Sequence, residues 1–194
     1  MKYILTILLF SACGQFLFAQ DTSKIAPKKQ VIKRADNYTI QRLIVFNDKK
    51  EILMEKYWGG WQTPALRSNQ NQSLREGLDS MATAIGILTE PVKLAGIITY
   101  KYEGLPDHKE VSYRTHYTAK YKSGIPIKTK DKEYHWLPVS EALGKISMEA
   151  LKIETTQIVN NPKSVWGGSF LLTYKDDKLQ TLKLVEEFYP LTDK

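Results

Sequence analysis

Hydrophobic positions along the chain follow two rhythms, one of period two and one of helical period. The β-branched and aromatic run Tyr38-Thr39-Ile40-Gln41-Arg42-Leu43-Ile44-Val45-Phe46 predicts a strand, and residues 51–57 predict a second. Asn47-Asp48-Lys49-Lys50 between them reads as a turn, so the two form a hairpin. Trp58-Gly59-Gly60-Trp61 and Pro64 mark a loop. Over residues 73–85 the rhythm changes: Leu74, Leu78, Met81, Ala82 and Ile85 fall on one face of a helix. Ser73, with Glu76 three residues on, predicts a capping box, and Gly86 predicts the stop. Gly77 inside this helix costs ~1 kcal/mol against alanine, which points to close packing or a slightly late helix start.

Strands follow at 92–102 and 111–121, separated by Gly104-Leu105-Pro106-Asp107, with a short one at 134–137. Ser140-Glu141-Ala142-Leu143 starts a helical turn, 149–160 makes a helix, and 165–174 with 179–188 form a closing hairpin across Lys175-Asp176-Asp177-Lys178. There is no internal repeat. Strands, a helix, strands, helices and a final hairpin predict an α/β fold, a mixed sheet packed between helices.

The N-terminus changes the picture of where the chain works. Met1-Lys2 precedes an apolar run over 3–10, too short to span a bilayer and suited to an export signal over residues 1–20. Cleavage near Ala19 or Gln20 is the preferred reading. The rival is a lipobox, Phe10-Ser11-Ala12-Cys13, which would make Cys13 a lipidated membrane attachment. Cys13 is the only cysteine, so simple cleavage leaves no thiol chemistry and no disulfide. Residues 21–36 are polar and lysine-rich, a linker, and 37–194 form one domain. The net charge of +7 comes from lysines spread along the chain, which reads as a solvated basic surface, with no specific nucleic-acid partner.

From here the order of elements resembles the Nudix hydrolases, whose signature is G-x5-E-x7-R-E-U-x-E-E-x-G-U, with U a bulky aliphatic residue. The hairpin leading into Trp61-Gln62-Thr63-Pro64-Ala65 is similar to the family's, as is the helix ending in Ile85-Gly86-Ile87. So is the late segment Glu133-Tyr134-His135-Trp136-Leu137-Pro138-Val139-Ser140-Glu141-Ala142-Leu143. The resemblance covers residues 38–146 and implies a Nudix-like α/β/α sandwich, with 147–194 as an added C-terminal helix and β-hairpin. It also implies a divalent cation, magnesium or manganese, held by the box glutamates.

Setting Gly86-Ile87 on the closing pair puts Asp79 on the arginine and Ser80 on the first glutamate. Thr83 and Ala84 fall on the paired glutamates, Asn71 or Gln72 on the upstream one and Ala65 on the opening glycine. A second register keeps Arg75, Glu76 and Asp79 as R-E-x-x-D but puts Ala82 where the glycine belongs. The substitutions matter because magnesium is held by carboxylates and substrate phosphates. One carboxylate ~4 Å from a divalent ion gains about 8 kcal/mol gross at an effective dielectric of 20. On the first register no metal or other cofactor is expected.

Three functions follow. The leading one is an exported binding protein for a small phosphorylated or nucleotide-like ligand, or for a protein partner. The second is a divalent-metal-dependent hydrolase of nucleoside diphosphate derivatives using relocated acids, with Glu76, Asp79, Glu103 and Glu133 as candidates. The third is a structural envelope protein. Trp58, Trp61 and Trp166, each beside paired glycines, are candidate stacking walls for a base or sugar ring, or else packing at strand ends. Lys120 to Lys132 is a basic stretch that either binds an anion or guards a strand edge. His108, His116 and His135 lack a short metal spacing.

Overall fold

The computed structural model describes residues 39–68, 71–105 and 111–193. The export segment, Cys13, the linker and His108 lie outside the described residues.

The first strand, β1 (Thr39–Phe46), organises the molecule because successive side chains enter opposite cores. Leu43 and Val45 point into a cluster with Leu78, Met81 and Ile85 of helix α1 (Leu74–Ile85). Ile44 points the other way, into a cluster with Ala142 of α2 (Val139–Lys145) and with Leu151 and Ile158 of α3 (Glu149–Asn160). A strand buried on both faces reads as the continuous apolar run seen here. Each fully buried Leu, Ile or Val contributes about 1.5–3 kcal/mol. The result is the expected α/β/α sandwich.

The hairpin partner is β2 (Glu51–Tyr57), followed by the short β3 (Gly60–Gln62) and β4 (Ala65–Ser68). After α1 come β5 (Ile87–Thr89), β6 (Lys93–Glu103), β7 (Ser112–Gly124) and β8 (Lys132–Pro138). After α3, β9 (Ser164–Lys175) and β10 (Lys178–Asp193) close the chain. The sheet order is β10-β9-β6-β7-β1-β2-β3, with β4 on β1, β5 on β7 and β8 on β2. It is mixed: β1 runs parallel to β7, and β6 parallel to β9, while the other pairings are antiparallel. The strand β2 pairs with β1 at Phe46 and Ile52, then diverges to pair with β8, and β4 takes the edge of β1 at Thr39 to Arg42.

The sequence pattern predicts no strand at β3, β4 or β5; β3 falls in the loop marked by Trp58 to Pro64. Three or four residues are too few for alternation to register, and pairing with longer neighbours holds them. The closing hairpin continues the sheet: β9 extends it beyond β6 and β10 becomes its outer edge. Four register shifts bend that edge, a common protection against pairing with other chains. Gly167 and Gly168 leave space here that two aromatic rings fill. A Cβ would stand 2.6 Å from the Tyr189 ring at one and 2.9 Å from Phe188 at the other.

Candidate functional site

The helix α1 begins as a capping box. The Ser73 N–H donates to the Glu76 carboxylate at 2.6 Å, and the Glu76 N–H donates to Ser73 Oγ at 3.2 Å. The bond from the Ser73 backbone, then that from its side chain, holds the Glu76 carboxyl below the usual range. Gly77 is buried against Gln41, whose Oε1 would stand 2.9 Å from an added Cβ, so the close packing expected from the sequence is present. Gly86 ends the helix in the left-handed region (φ 86°), the geometry the register set on Gly86-Ile87 requires. The second register's Ala82 is buried inside the helix, which leaves it no closing turn. Ser80, Thr83 and Ala84 all face solvent. A cleft of about 350 Å³ lies between α1 and the β5–β6 connection, lined by Arg75, Leu78, Asp79, Glu90 and Tyr117 among others.

The four candidate acids are not gathered around one point. Glu76 caps α1, and Asp79 pairs with Arg75 at 3.6 Å on the same helix. Glu103, at the end of β6, accepts a hydrogen bond from Thr173 Oγ1 at 3.3 Å. Glu133 on β8 meets Lys128 and His135, and the Lys128 bond, then the His135 bond, lowers its pKa. Among the described residues, no group of three or more His, Cys, Asp or Glu side chains is placed to hold a metal ion.

Sequence reasoning missed the buried charges. Glu55, on β2, is buried and accepts hydrogen bonds from Gln62 Nε2 (2.7 Å), Lys132 Nζ (3.0 Å) and the Tyr134 hydroxyl (3.2 Å). Burial, then the Glu55 charge, pushes the Tyr134 hydroxyl well above its ordinary pKa. On the α3 side, Glu154 is fully enclosed, and its Oε2 stands 2.9 Å from His116 Nε2, close but off the line of a hydrogen bond. Arg42 and Tyr100 feel the same carboxylate. Burial lowers the Arg42 pKa against the raising influence of Glu154, and burial with the Glu154 charge pushes Tyr100 well up. Arg114 lies 4.5 Å from the centroid of the Tyr100 ring and donates to the Tyr102 hydroxyl at 2.9 Å. One signal was in the sequence: Glu154 lies four residues after Ala150, three after Leu151 and four before Ile158, on the helix's apolar face.

The three tryptophans occupy different settings. Trp166 is half-buried against the α3-side core and donates its indole N–H to the Asn161 carbonyl at 2.8 Å. Beside it, Tyr189 and Phe188 fill the space its two glycines open. Trp61 packs on the same core, and its backbone exchanges bonds with Ser147. Lys145, at 5.4 Å, and Lys56, at 5.9 Å, stand over its ring. Trp58, by contrast, is 82% exposed. It sits with Gly59 at the β2–β3 turn, with φ 47° and 79°, a tight hairpin turn that ordinarily takes Asn-Gly.

These elements and their order define a Nudix-like domain, and solved structures share the fold. The mutator MutT protein from Bacillus halodurans superposes with a TM-score of 0.63 at 16% identity, over 76% of this chain and 97% of its own. MutT from Methanosarcina mazei Go1 gives 0.51 at 16% identity, over 66% and 96%, and a Nudix hydrolase from Nitrosomonas europaea gives 0.52 at 12%, over 64% and 89%. No family model and no curated protein matches the sequence.

Proposed function

We propose that the protein is a binding domain on the Nudix fold, which takes a phosphorylated or nucleotide-like ligand without the usual metal-dependent hydrolysis. The observation that carries this reading is the donor set on α1. In the register that ends at Gly86, the positions of the box glutamates offer two hydroxyls, Ser80 and Thr83, and the methyl group of Ala84. That set does not fit a magnesium or manganese ion, which needs carboxylates beside the substrate phosphates. The nearest acids are committed elsewhere, Glu76 to the helix cap and Asp79 to Arg75. The export signal read at residues 1–20 makes the envelope or the outside of the cell its place of work in this proposal.

The test is a thermal-shift screen of the full chain against nucleotides and related phosphates, with and without magnesium or manganese. A ligand that binds the native state at a hundred times its Kd adds about 2.7 kcal/mol of stability, so its midpoint rises whether or not metal is present. Metal-dependent release of phosphate, abolished in Glu76→Gln, would overturn the proposal in favour of relocated acids. No shift with any compound, together with a stable complex with an envelope protein, would favour the structural role.

A further inference from the structure

We infer that the β2–β3 turn is a ligand subsite for a flat ring bearing a single anionic group, with the Trp58 indole as its stacking wall and Lys56 and Lys130 as the anion's partners. The inference rests on the binding role proposed above and assigns that role a place. The first observation is conformational. Trp58 is a bulky residue held in the left-handed region (φ 47°), where a tight turn favours Asn or Gly. Lys50 in the β1–β2 turn (φ 61°) and Asp176 and Asp177 in the β9–β10 turn (φ 51° and 58°) share this handedness, but among these Trp58 is the bulky aromatic. Strain of this kind points towards a task for the side chain.

The second observation is what the strain achieves. The indole stacks on Tyr57, with centroids 4.7 Å apart and planes 17° from parallel, and the Lys132 ammonium lies over the Tyr57 ring at 5.3 Å. Tyr57 covers one face of the ring, and Trp58 as a residue is 82% exposed, so the indole presents open surface that can take another ring. The third is charge. A cleft of about 230 Å³ beside the indole is lined by Lys56, Gly59, Lys130, Asp131 and Glu133. Lys128 and His135 engage Glu133, and Lys132 is paired with Glu55; Lys56 and Lys130 make no ion pair among the described residues, although the Lys56 charge also acts on Glu133 and stands over Trp61. With Asp131 in the same cleft, the remaining charge suits one anionic group, not a polyanion or an anionic membrane surface. Gly59 has nothing within 4 Å of where a Cβ would be, so the turn leaves room for the ligand.

The test measures affinity by calorimetry, together with the indole N–H resonance of Trp58, on the full chain. The probes are a nucleoside monophosphate, the nucleoside alone, a sugar phosphate and inorganic phosphate. The expected result is that a ring with a phosphate binds at least roughly tenfold more tightly than either part alone and shifts the Trp58 resonance. Equal binding of the sugar phosphate would show that no flat ring is required and would overturn the stacking wall, whereas preference for the nucleoside monophosphate over the sugar phosphate is the expected result. Trp58→Asn keeps the turn, so its melting temperature should hold or rise while affinity falls about tenfold or more. Lys130→Gln should weaken binding several-fold and flatten its salt dependence. Binding that survives Trp58→Asn would overturn the subsite and leave the binding role intact, and a melting temperature lowered by Trp58→Asn would make the residue structural. No binding of any probe would overturn both, whereas metal-dependent hydrolysis with Trp58-dependent binding would overturn only the non-catalytic role.

Discussion

The two faces of the sheet differ in how their buried charge is held: three donors bond Glu55 on the α1 side, whereas Glu154 on the α3 side is enclosed among His116, Arg42 and Tyr100. Under α1 the core is apolar apart from Gln41 and Glu55, the latter satisfied by Gln62, Lys132 and Tyr134, and the positions of the box glutamates present neutral residues, Ser80, Thr83 and Ala84, to solvent. Under α3 the core contains Glu154, His116, Arg42 and Arg114, all buried. The Nudix hydrolases, by the family's signature, concentrate carboxylates on the first helix. In this chain the helix that carries an enclosed carboxylate is α3, in the C-terminal extension, where that group contacts the sheet. The difference separates two roles for one chemical group. An exposed carboxylate on α1 would be available to a ligand, whereas Glu154 is enclosed and its charge acts on the fold.

The largest expected effect breaks the α3 side. Glu154→Ala removes the carboxylate that acts on Arg42 and leaves that guanidinium buried with less to offset it, which typically costs about 3–5 kcal/mol. Urea denaturation should show it as a lower midpoint. The double variant with His116→Ala should lose less than the sum of the two single losses, by about 0.5–3 kcal/mol. Simple additivity would mean that the pair is not coupled.

On the α1 side the expected losses are smaller. Ser73→Ala removes one half of the capping box and should cost about 1 kcal/mol by the same assay. Of similar size is the change from adding acids: Ser80→Glu, Thr83→Glu and Ala84→Glu add three carboxylates, of which the two in the last turn, at the negative end of the helix, are each unfavourable by roughly 0.3–1 kcal/mol at low salt. Manganese should restore that loss in the triple variant and leave the wild type unchanged in a thermal-shift titration. An equal manganese shift in the wild type would show that α1 already holds metal and would remove the contrast between the two faces.

The fold was legible because its largest elements carry strong periodic or local signals. The α1 helix announced both ends through Ser73, Glu76 and Gly86, and the β1–β2 hairpin through two apolar runs on either side of the Asn47 turn. The partners of the extension were not legible. Nothing local in Val165 to Tyr174 says that this strand lies parallel to β6, because that pairing is set across the intervening helices. The buried charges were hidden for the same reason. Glu55 appears within Ile52-Leu53-Met54-Glu55-Lys56-Tyr57 as one polar residue among several, and its partners Lys132 and Tyr134 are far away in sequence. Trp58 stood out by composition, but its left-handed backbone, which sets it apart from Trp61 and Trp166, belongs to the turn.

The smallest effect is also the one whose pH dependence has a definite sign. The Glu76 carboxylate accepts from the Ser73 backbone, and its folded pKa lies below the ordinary value of 4.5. The unfolded chain therefore takes up its proton first as pH falls. The stabilisation from Glu76 is fully present above the unfolded pKa and is lost as pH falls through the folded one. Glu76→Gln can still bond to Ser73 but has no charge to set against the positive end of the helix. The wild type should therefore be slightly more stable than the variant at neutral pH, and the difference should shrink to nothing in acid, read as converging urea midpoints. A difference that grows in acid would mean that Glu76 is held protonated, as a neighbouring carboxylate would require. It would then belong to a site that draws acids together on α1.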